Sequence, residues 1–204
     1  MPYILGLTGN IASGKTTVGL ILLELGLSTY IDADTVVHEL YLPGQALPAE
    51  LAKAFGSGVL DSAGGVDRRA LGAIVFNSPE RLRQLESIVH PAVSEALLSK
   101  MRALAPDEIG ALDAIKLVES GYAPFCHGLW IITCPPEIQM QRLIERRGLS
   151  EEEARARLAA QPPIEAKLPL ATAIIHNDGS LESLRQQVTD AWRTFKASLT
   201  EQAP

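Results

Sequence analysis

Only two cysteines, Cys126 and Cys134, occur in 204 residues, and they form no CxxC pair. A disulfide framework and a cysteine-built zinc site are thereby excluded, and both thiols are expected to be reduced packing residues. The four histidines show no metal-ligand spacing, and aromatic residues make up only 5% of the chain. Positive charge is scarce too: 18 Lys and Arg stand against 24 Asp and Glu, for a net charge of −6. That balance argues against a broad basic surface for nucleic acid or anionic membrane, so any phosphate site must be local. No apolar run approaches the roughly 18 residues of a membrane span. The apolar residues 3 to 7 run into a glycine-rich loop rather than a cleavage site, so a soluble cytoplasmic protein is expected. What is abundant is patterned Leu, Ile, Val and Ala, with 47% of the chain apolar. One α/β domain carrying insertions fits that length and composition.

The chain begins as strand, loop and helix. Tyr3 to Thr8 is apolar, and Lys15 to Leu25 reads as a helix stopped by Gly26. A second short strand, Ser28 to Ile31, ends in Asp32-Ala33-Asp34. From 35 to 104 the pattern becomes helical without strands, with caps at Asp67 and at Ser78, the latter followed by Pro79. Strands resume at Ile109 to Val118 and Leu129 to Cys134, and Pro135-Pro136 opens a helix to about Arg147. Ser150 to Glu153 is a capping-box pattern that starts a separate helix, leaving 148–150 as a hinge. A last strand at Ala173 to Ile175 leads into an amphipathic helix with Leu181, Leu184, Val188, Ala191, Trp192 and Phe195 on one stripe. The expected organisation is a nucleotide-binding core from 1–34 and 105–204, a helical insert at 35–104, and a lid at 142–165 within the core.

Gly9-Asn10-Ile11-Ala12-Ser13-Gly14-Lys15-Thr16 fits GxxxxGK[ST] with a strand before it and a helix after it. Such a loop turns successive backbone N–H groups of Asn10 to Thr17 inward around the phosphates of a nucleoside triphosphate. Lys15 reaches the β and γ phosphates and the Thr16 hydroxyl ligates Mg²⁺. Ala12 is expected in an ordinary backbone region, and Asn10 is the residue able to take positive φ. Asp32 and Asp34 share a side if the strand end is extended. Asp34 either caps the next helix or serves phosphoryl transfer as base or Mg²⁺ orienter. Arg142, Arg146 and Arg147, with Arg155 and Arg157 on the next helix, are either a solvated face paired with glutamates or a lid closing on the γ-phosphate. Asp61-Ser62-Ala63-Gly64 matches the DxxG pattern of switch GTPases, but no NKxD-type segment follows, which favours a small-molecule phosphotransferase over a switch.

The whole chain resembles the dephospho-CoA kinase family. The resemblance rests on Leu7 to Val18 across the phosphate loop, Ile31-Asp32-Ala33-Asp34 with His38, and Asp67-Arg68-Arg69-Ala70-Leu71. It extends through Leu85 to Pro91, which includes His90-Pro91, then Gln141-Arg142-Leu143, Arg146, Gln161, Lys167 and Asn177-Asp178-Gly179. It implies an α/β, parallel-sheet P-loop core of nucleoside-monophosphate-kinase type with helical insert and lid. The implied reaction moves the γ-phosphoryl group of ATP to the ribose 3′-hydroxyl of dephospho-CoA. By the same resemblance Asp34 is the general base, the insert holds the acceptor, Arg142 contacts phosphate and Asn177 lies at the adenine pocket. Asp32 becomes an acceptor-side candidate, and Arg68 and His90 carry over as site or structural residues of the insert. Another P-loop kinase, such as one acting on nucleoside monophosphates, is the alternative. The implied partners are small molecules alone, with no nucleic acid or membrane, and the protein is expected to be a monomer or weak homo-oligomer. Where many relatives read Asp-Ile-Pro-Leu-Leu-Phe-Glu, this chain has Asp113-Ala114-Ile115-Lys116-Leu117-Val118-Glu119. A Lys in an apolar strand must reach a carboxylate, a phosphate or solvent, so Lys116 is read as a substrate contact or the partner of Asp113.

Overall fold

Five strands, β1 (Tyr3–Thr8), β2 (Thr29–Asp32), β3 (Ile109–Asp113), β4 (Gly128–Thr133) and β5 (Ala173–His176), form one sheet ordered β2-β3-β1-β4-β5 in a computed structural model. The structure describes residues 2–76 and 78–201. The β1–β3, β1–β4 and β4–β5 pairings are parallel. Parallel strands carry helices on both faces, and residues 4 to 8 of β1 are accordingly all buried. Strand order diverges on either side of β1, so the carboxyl end of that strand is the switch point where open α/β sheets bind ligands.

The helices are α1 (Lys15–Glu24), α2 (Ala33–Leu40), α3 (Ala46–Phe55), α4 (Arg68–Val75), α5 (Pro79–Arg102), α6 (Pro136–Arg147), α7 (Glu151–Ala159) and α8 (Leu181–Glu201). Their ends follow local chemistry. Asp67 accepts the N–H groups of Arg69 and Ala70 to start α4, and Ser78 with Pro79 starts α5. Ser150 and Glu153 form a reciprocal capping box on α7, and hydrogen bonding from the Ser150 backbone N–H, then from its hydroxyl, holds the Glu153 carboxyl below the usual range. Gly148 ends α6 at φ 65.

The chain divides into two compact units, one of residues 1–30 and 104–204 and one of residues 31–103. In the first, Leu5, Leu7, Val18, Leu22, Trp130, Ile132, Leu184, Val188, Trp192 and Phe195 pack together. Trp130 meets Phe195 edge-on with ring centroids 6.4 Å apart. The Trp192 indole N–H donates to the Leu25 carbonyl at 3.0 Å, so α8 satisfies an open carbonyl at the end of α1. The second unit has its own core of Leu47, Leu51, Val59, Val66, Leu71, Val75 and Val89. Among the described residues no helix is long and apolar enough to cross a membrane.

Three sequence expectations need correction. Strand β3 ends at Asp113, five residues before Val118. The Ala114 N–H still bonds the Leu7 carbonyl, but the Leu117 N–H turns back to Ala114. Leu117 is fully buried from that turn, and its burial imitates a strand pattern. Leu181, placed on the apolar stripe of α8, is 61% exposed, because the stripe begins one turn later at Leu184. Helix α2 starts at Ala33 rather than after Asp34, since the Asp32 carboxylate accepts the N–H groups of Asp34 and Thr35 and caps it there.

Candidate active site

The phosphate loop leaves the carboxyl end of β1 and delivers Lys15, Thr16 and Thr17 to the first turn of α1, which carries no acidic residue. Its open N–H groups are thus free to meet an anion. Steric limits set both glycines. A Cβ on Gly9 would sit 2.3 Å from the Ile132 carbonyl oxygen of β4, and one on Gly14, at φ 98, would sit 1.9 Å from Asn177 Nδ2. Ala12 adopts φ 58 and is, among the described residues, the non-glycine residue with positive φ, contrary to the expectation for Ala12 and Asn10. That conformation costs an L-residue about 1–2 kcal/mol, and its surroundings show what holds it. Arg142 Nη1 donates to the carbonyls of Ala12 and Ser13 at 3.2 and 3.3 Å, and Asn177 Nδ2 donates to Ser13 at 2.7 Å. On the other side the Gln161 carboxamide oxygen accepts the Ile11 N–H at 3.2 Å.

Lys15 donates from Nζ to the Gly9 carbonyl at 3.1 Å and lies 3.9 Å from Asp113 Oδ1. Asp113 is buried at the end of β3, next to β1, and accepts a short hydrogen bond from the Tyr30 hydroxyl. Lys15 is thereby held over the loop with its charge balanced. Arg142 also bonds Cys134 Sγ at 3.3 Å and the Asn177 backbone and side-chain oxygens at 3.2 Å. Burial raises the Cys134 thiol above its usual range, with the nearby Arg142 pulling it down and Asp178 pushing it up. A cavity of about 460 Å³ opens beside the loop. Ala12, Gly14, Lys15, Thr16, Thr17, Arg142, Arg146, Arg147, Asn177, Gly179, Leu181 and Leu184 line it, so its wall carries four cationic side chains together with apolar ones. Leu181, missing from the core, therefore supplies cavity wall.

The fold brings together Asn10 to Thr17, Arg142, Arg146 and Asn177 in one unit. Asn10 Nδ2 reaches the Pro162 carbonyl at 3.5 Å, while Asn10 Oδ1 and Ser13 Oγ are buried without a partner among the described residues. Asp32, Asp34, Arg68 and His90 belong to the helical unit. There Asp32 is a helix cap, Asp34 is exposed in the first turn of α2, and His90 is exposed on α5. The exposed Arg68 stands 5.5 Å from the centre of the Tyr41 ring. Burial raises the Tyr41 hydroxyl, and Arg68 partly offsets the shift. Because Asp34 is helical, the same-side argument for an extended strand does not apply to it. Lys116 is exposed in the turn after β3, so it needs no buried counter-charge, and Tyr30 and Lys15 are among the residues against Asp113. Arg155 pairs with Glu151 on the exposed face of α7, the solvated arrangement weighed for it. Tyr30 and Glu119 escape the sequence as site residues, whereas Gln161 and Lys167 enter it through the family resemblance without a role. Only Asp113, a carboxylate ending an apolar strand, offered a local signal.

A glycine loop between a central parallel strand and a helix, with lysine and arginine around an adjoining cavity, defines a P-loop phosphotransferase. Residues 3–183 match the sequence profile of the dephospho-CoA kinase family. The chain is 46% identical over 192 residues to the dephospho-CoA kinase of Symbiobacterium thermophilum, covering 93% of this chain and 80% of that one. Among solved structures, a Thermus thermophilus protein aligns with a TM-score of 0.79 at 37% identity, over 100% of this chain and 99% of the other. The dephospho-CoA kinase from Campylobacter jejuni aligns with a TM-score of 0.66 at 30% identity, over 95% and 97%. The chain belongs to the dephospho-CoA kinase family.

Proposed function

We propose that the protein transfers the γ-phosphoryl group of ATP to the ribose 3′-hydroxyl of dephospho-CoA, giving coenzyme A and ADP, the final step of coenzyme A synthesis. The observation that carries this reading is the cationic cavity at the end of β1, where the first turn of α1, Lys15 and Arg146 converge in a chain of this family. The triphosphate lies along Gly9 to Thr17, with Lys15 exchanging the Gly9 carbonyl for phosphate oxygens. Arg142 and Arg146 add positive charge where the transferring group develops negative charge. Asp34, exposed at the start of α2, accepts the 3′-hydroxyl proton. The helical unit then holds the acceptor, with Asp32, Arg68 and His90 as its candidate contacts and Lys116 as one from the core. The segment 142–165 acts as the lid that excludes water.

The donor set also fits Mg²⁺. The Thr16 side chain is exposed on the cavity wall. Among the described residues no group of three or more His, Cys, Asp or Glu forms a cage. Mg²⁺ is commonly held by few protein oxygens together with substrate phosphates, and Thr16 is the residue that would hold it here. When bound, the ion supplies charge neutralisation on the β and γ phosphates. The same reading is of a cytoplasmic enzyme acting on small molecules, as a monomer or weak homo-oligomer. Incubation with ATP, Mg²⁺ and dephospho-CoA should release ADP and coenzyme A in equal amounts, with nucleoside monophosphates left unphosphorylated. Coenzyme A failing to form, or phosphoryl transfer to an added nucleoside monophosphate in its place, overturns the proposal.

A further inference from the structure

Lys167 lies between two short 3-10 turns and is 2% exposed, yet nothing in the proposed chemistry uses it. Its ammonium donates to the Ile115 carbonyl at 2.6 Å and pairs with Glu119 at 3.1 Å. The Ile115 carbonyl also accepts the Thr8 hydroxyl at 3.0 Å, and Thr8 is the last residue before the phosphate loop. The Glu119 partner is 38% exposed, and an ion pair open to solvent at one end adds little net stability. The value of an ammonium here therefore lies in the directions of its N–H bonds. Upstream, the chain from the end of α7 to Lys167 passes the first turn of the phosphate loop, where Gln161 accepts the Ile11 N–H and Pro162 faces Asn10. The residues from Gln161 to Lys167 thus form a strap with one end on the loop and the other pinned beside the end of β1.

We propose that Lys167 is a positioning residue that holds Gln161 against the Ile11 amide, and through it keeps the strained phosphate loop in its triphosphate-binding shape. The inference rests on the proposed nucleotide site but concerns ATP binding alone. Ile11 directly precedes Ala12, whose φ of 58 persists only if its neighbours are held. Gln161 fixes the loop through the Ile11 N–H, while Arg142 and Asn177 hold the carbonyls of Ala12 and Ser13. Lys167 touches neither group directly and acts through the strap.

The test is equilibrium titration with a non-hydrolysable ATP analogue and Mg²⁺, which reads the loop without needing the acceptor. Lys167→Met should weaken binding roughly ten-fold, the loss of about one hydrogen bond's worth of loop organisation. Lys167→Arg should recover part of it, and Gln161→Leu should reproduce the defect. The double variant Lys167→Met with Gln161→Leu should bind no more weakly than the weaker single variant, because both act on one strap. Affinity within two-fold of wild type for folded Lys167→Met, or additive losses in the double variant, overturns the proposal. Should Lys167→Met fail to fold, Glu119→Gln replaces it. Its smaller loss of affinity should vanish in the Gln161→Leu background, and its persistence there overturns the proposal equally. A wild-type enzyme that binds the analogue but makes no coenzyme A would refute the proposed function and leave the strap tested.

Discussion

Asn177 Nδ2 donates to the Ser13 carbonyl at 2.7 Å across 164 residues of chain, through the space a Cβ on Gly14 would occupy. The residue that follows the last strand therefore holds the phosphate loop directly, and the second loop glycine leaves room for the carboxamide. Asn177→Ala should leave the Ser13 carbonyl with Arg142 as its remaining donor and take from Arg142 the side-chain oxygen, while the backbone carbonyl of residue 177 stays. The expected cost is about 1–3 kcal/mol in stability, with a parallel loss of ATP affinity, measured by denaturant unfolding and by calorimetric titration. Gly14→Ala should be worse, because φ 98 and the 1.9 Å approach leave no accommodating rotation.

Lys15→Ala should weaken ATP binding and lower turnover together. Lys15 is the charge held over the loop, and its removal also leaves buried Asp113 without the ammonium 3.9 Å away. Steady-state kinetics with varied ATP should show KM rising and kcat falling by orders of magnitude. Normal kinetics would remove the loop from the mechanism.

Asp34→Asn should behave differently. Asp34 is exposed and caps nothing, so stability should change by less than about 0.5 kcal/mol. ATP affinity should stay within about two-fold, while kcat drops by roughly 10²–10⁴, the usual contribution of a positioned base. An active Asp34→Asn enzyme would exclude Asp34 as the proton acceptor.

Burial pushes the Cys126 thiol up to about 12 and raises Cys134 as well. At pH 8 the Cys126 thiolate is then roughly one part in ten thousand, and only the thiolate attacks alkylating reagents. Native protein should show no fast-reacting thiol with a chromogenic disulfide, and two after unfolding. Because the folded value lies above the ordinary 9.0, this contribution to stability is complete below about pH 9. It declines as pH rises toward 12. Unfolding midpoints measured between pH 8 and 11 should fall in that order.

The phosphate loop and most helix ends were legible because local chemistry decides them. GxxxxGK[ST] between strand and helix, Asp67, Ser78-Pro79 and the Ser150–Glu153 box need only their neighbours. What escaped depends on distant contacts. Nothing near Ala12 reveals that Arg142 and Asn177 will hold its strained peptide. Leu117 looks like a strand residue because burial, not extension, sets its apolar character. Lys167 carries the family resemblance, but nothing beside it in the chain shows that the fold will bring the Ile115 carbonyl and Glu119 to its ammonium. Asp34 fell between these cases. Its neighbour Asp32 was the better cap, and the competition between two carboxylates two residues apart was settled by the end of β2 at Asp32.

The central claim is phosphorylation of one particular hydroxyl, and the site of the new phosphate tests it most directly. Product made from ATP, Mg²⁺ and dephospho-CoA should show by ³¹P and ¹H NMR a single added phosphate coupled to the ribose 3′ proton. A phosphate on another hydroxyl, or ATP hydrolysis with dephospho-CoA unchanged, would contradict the account.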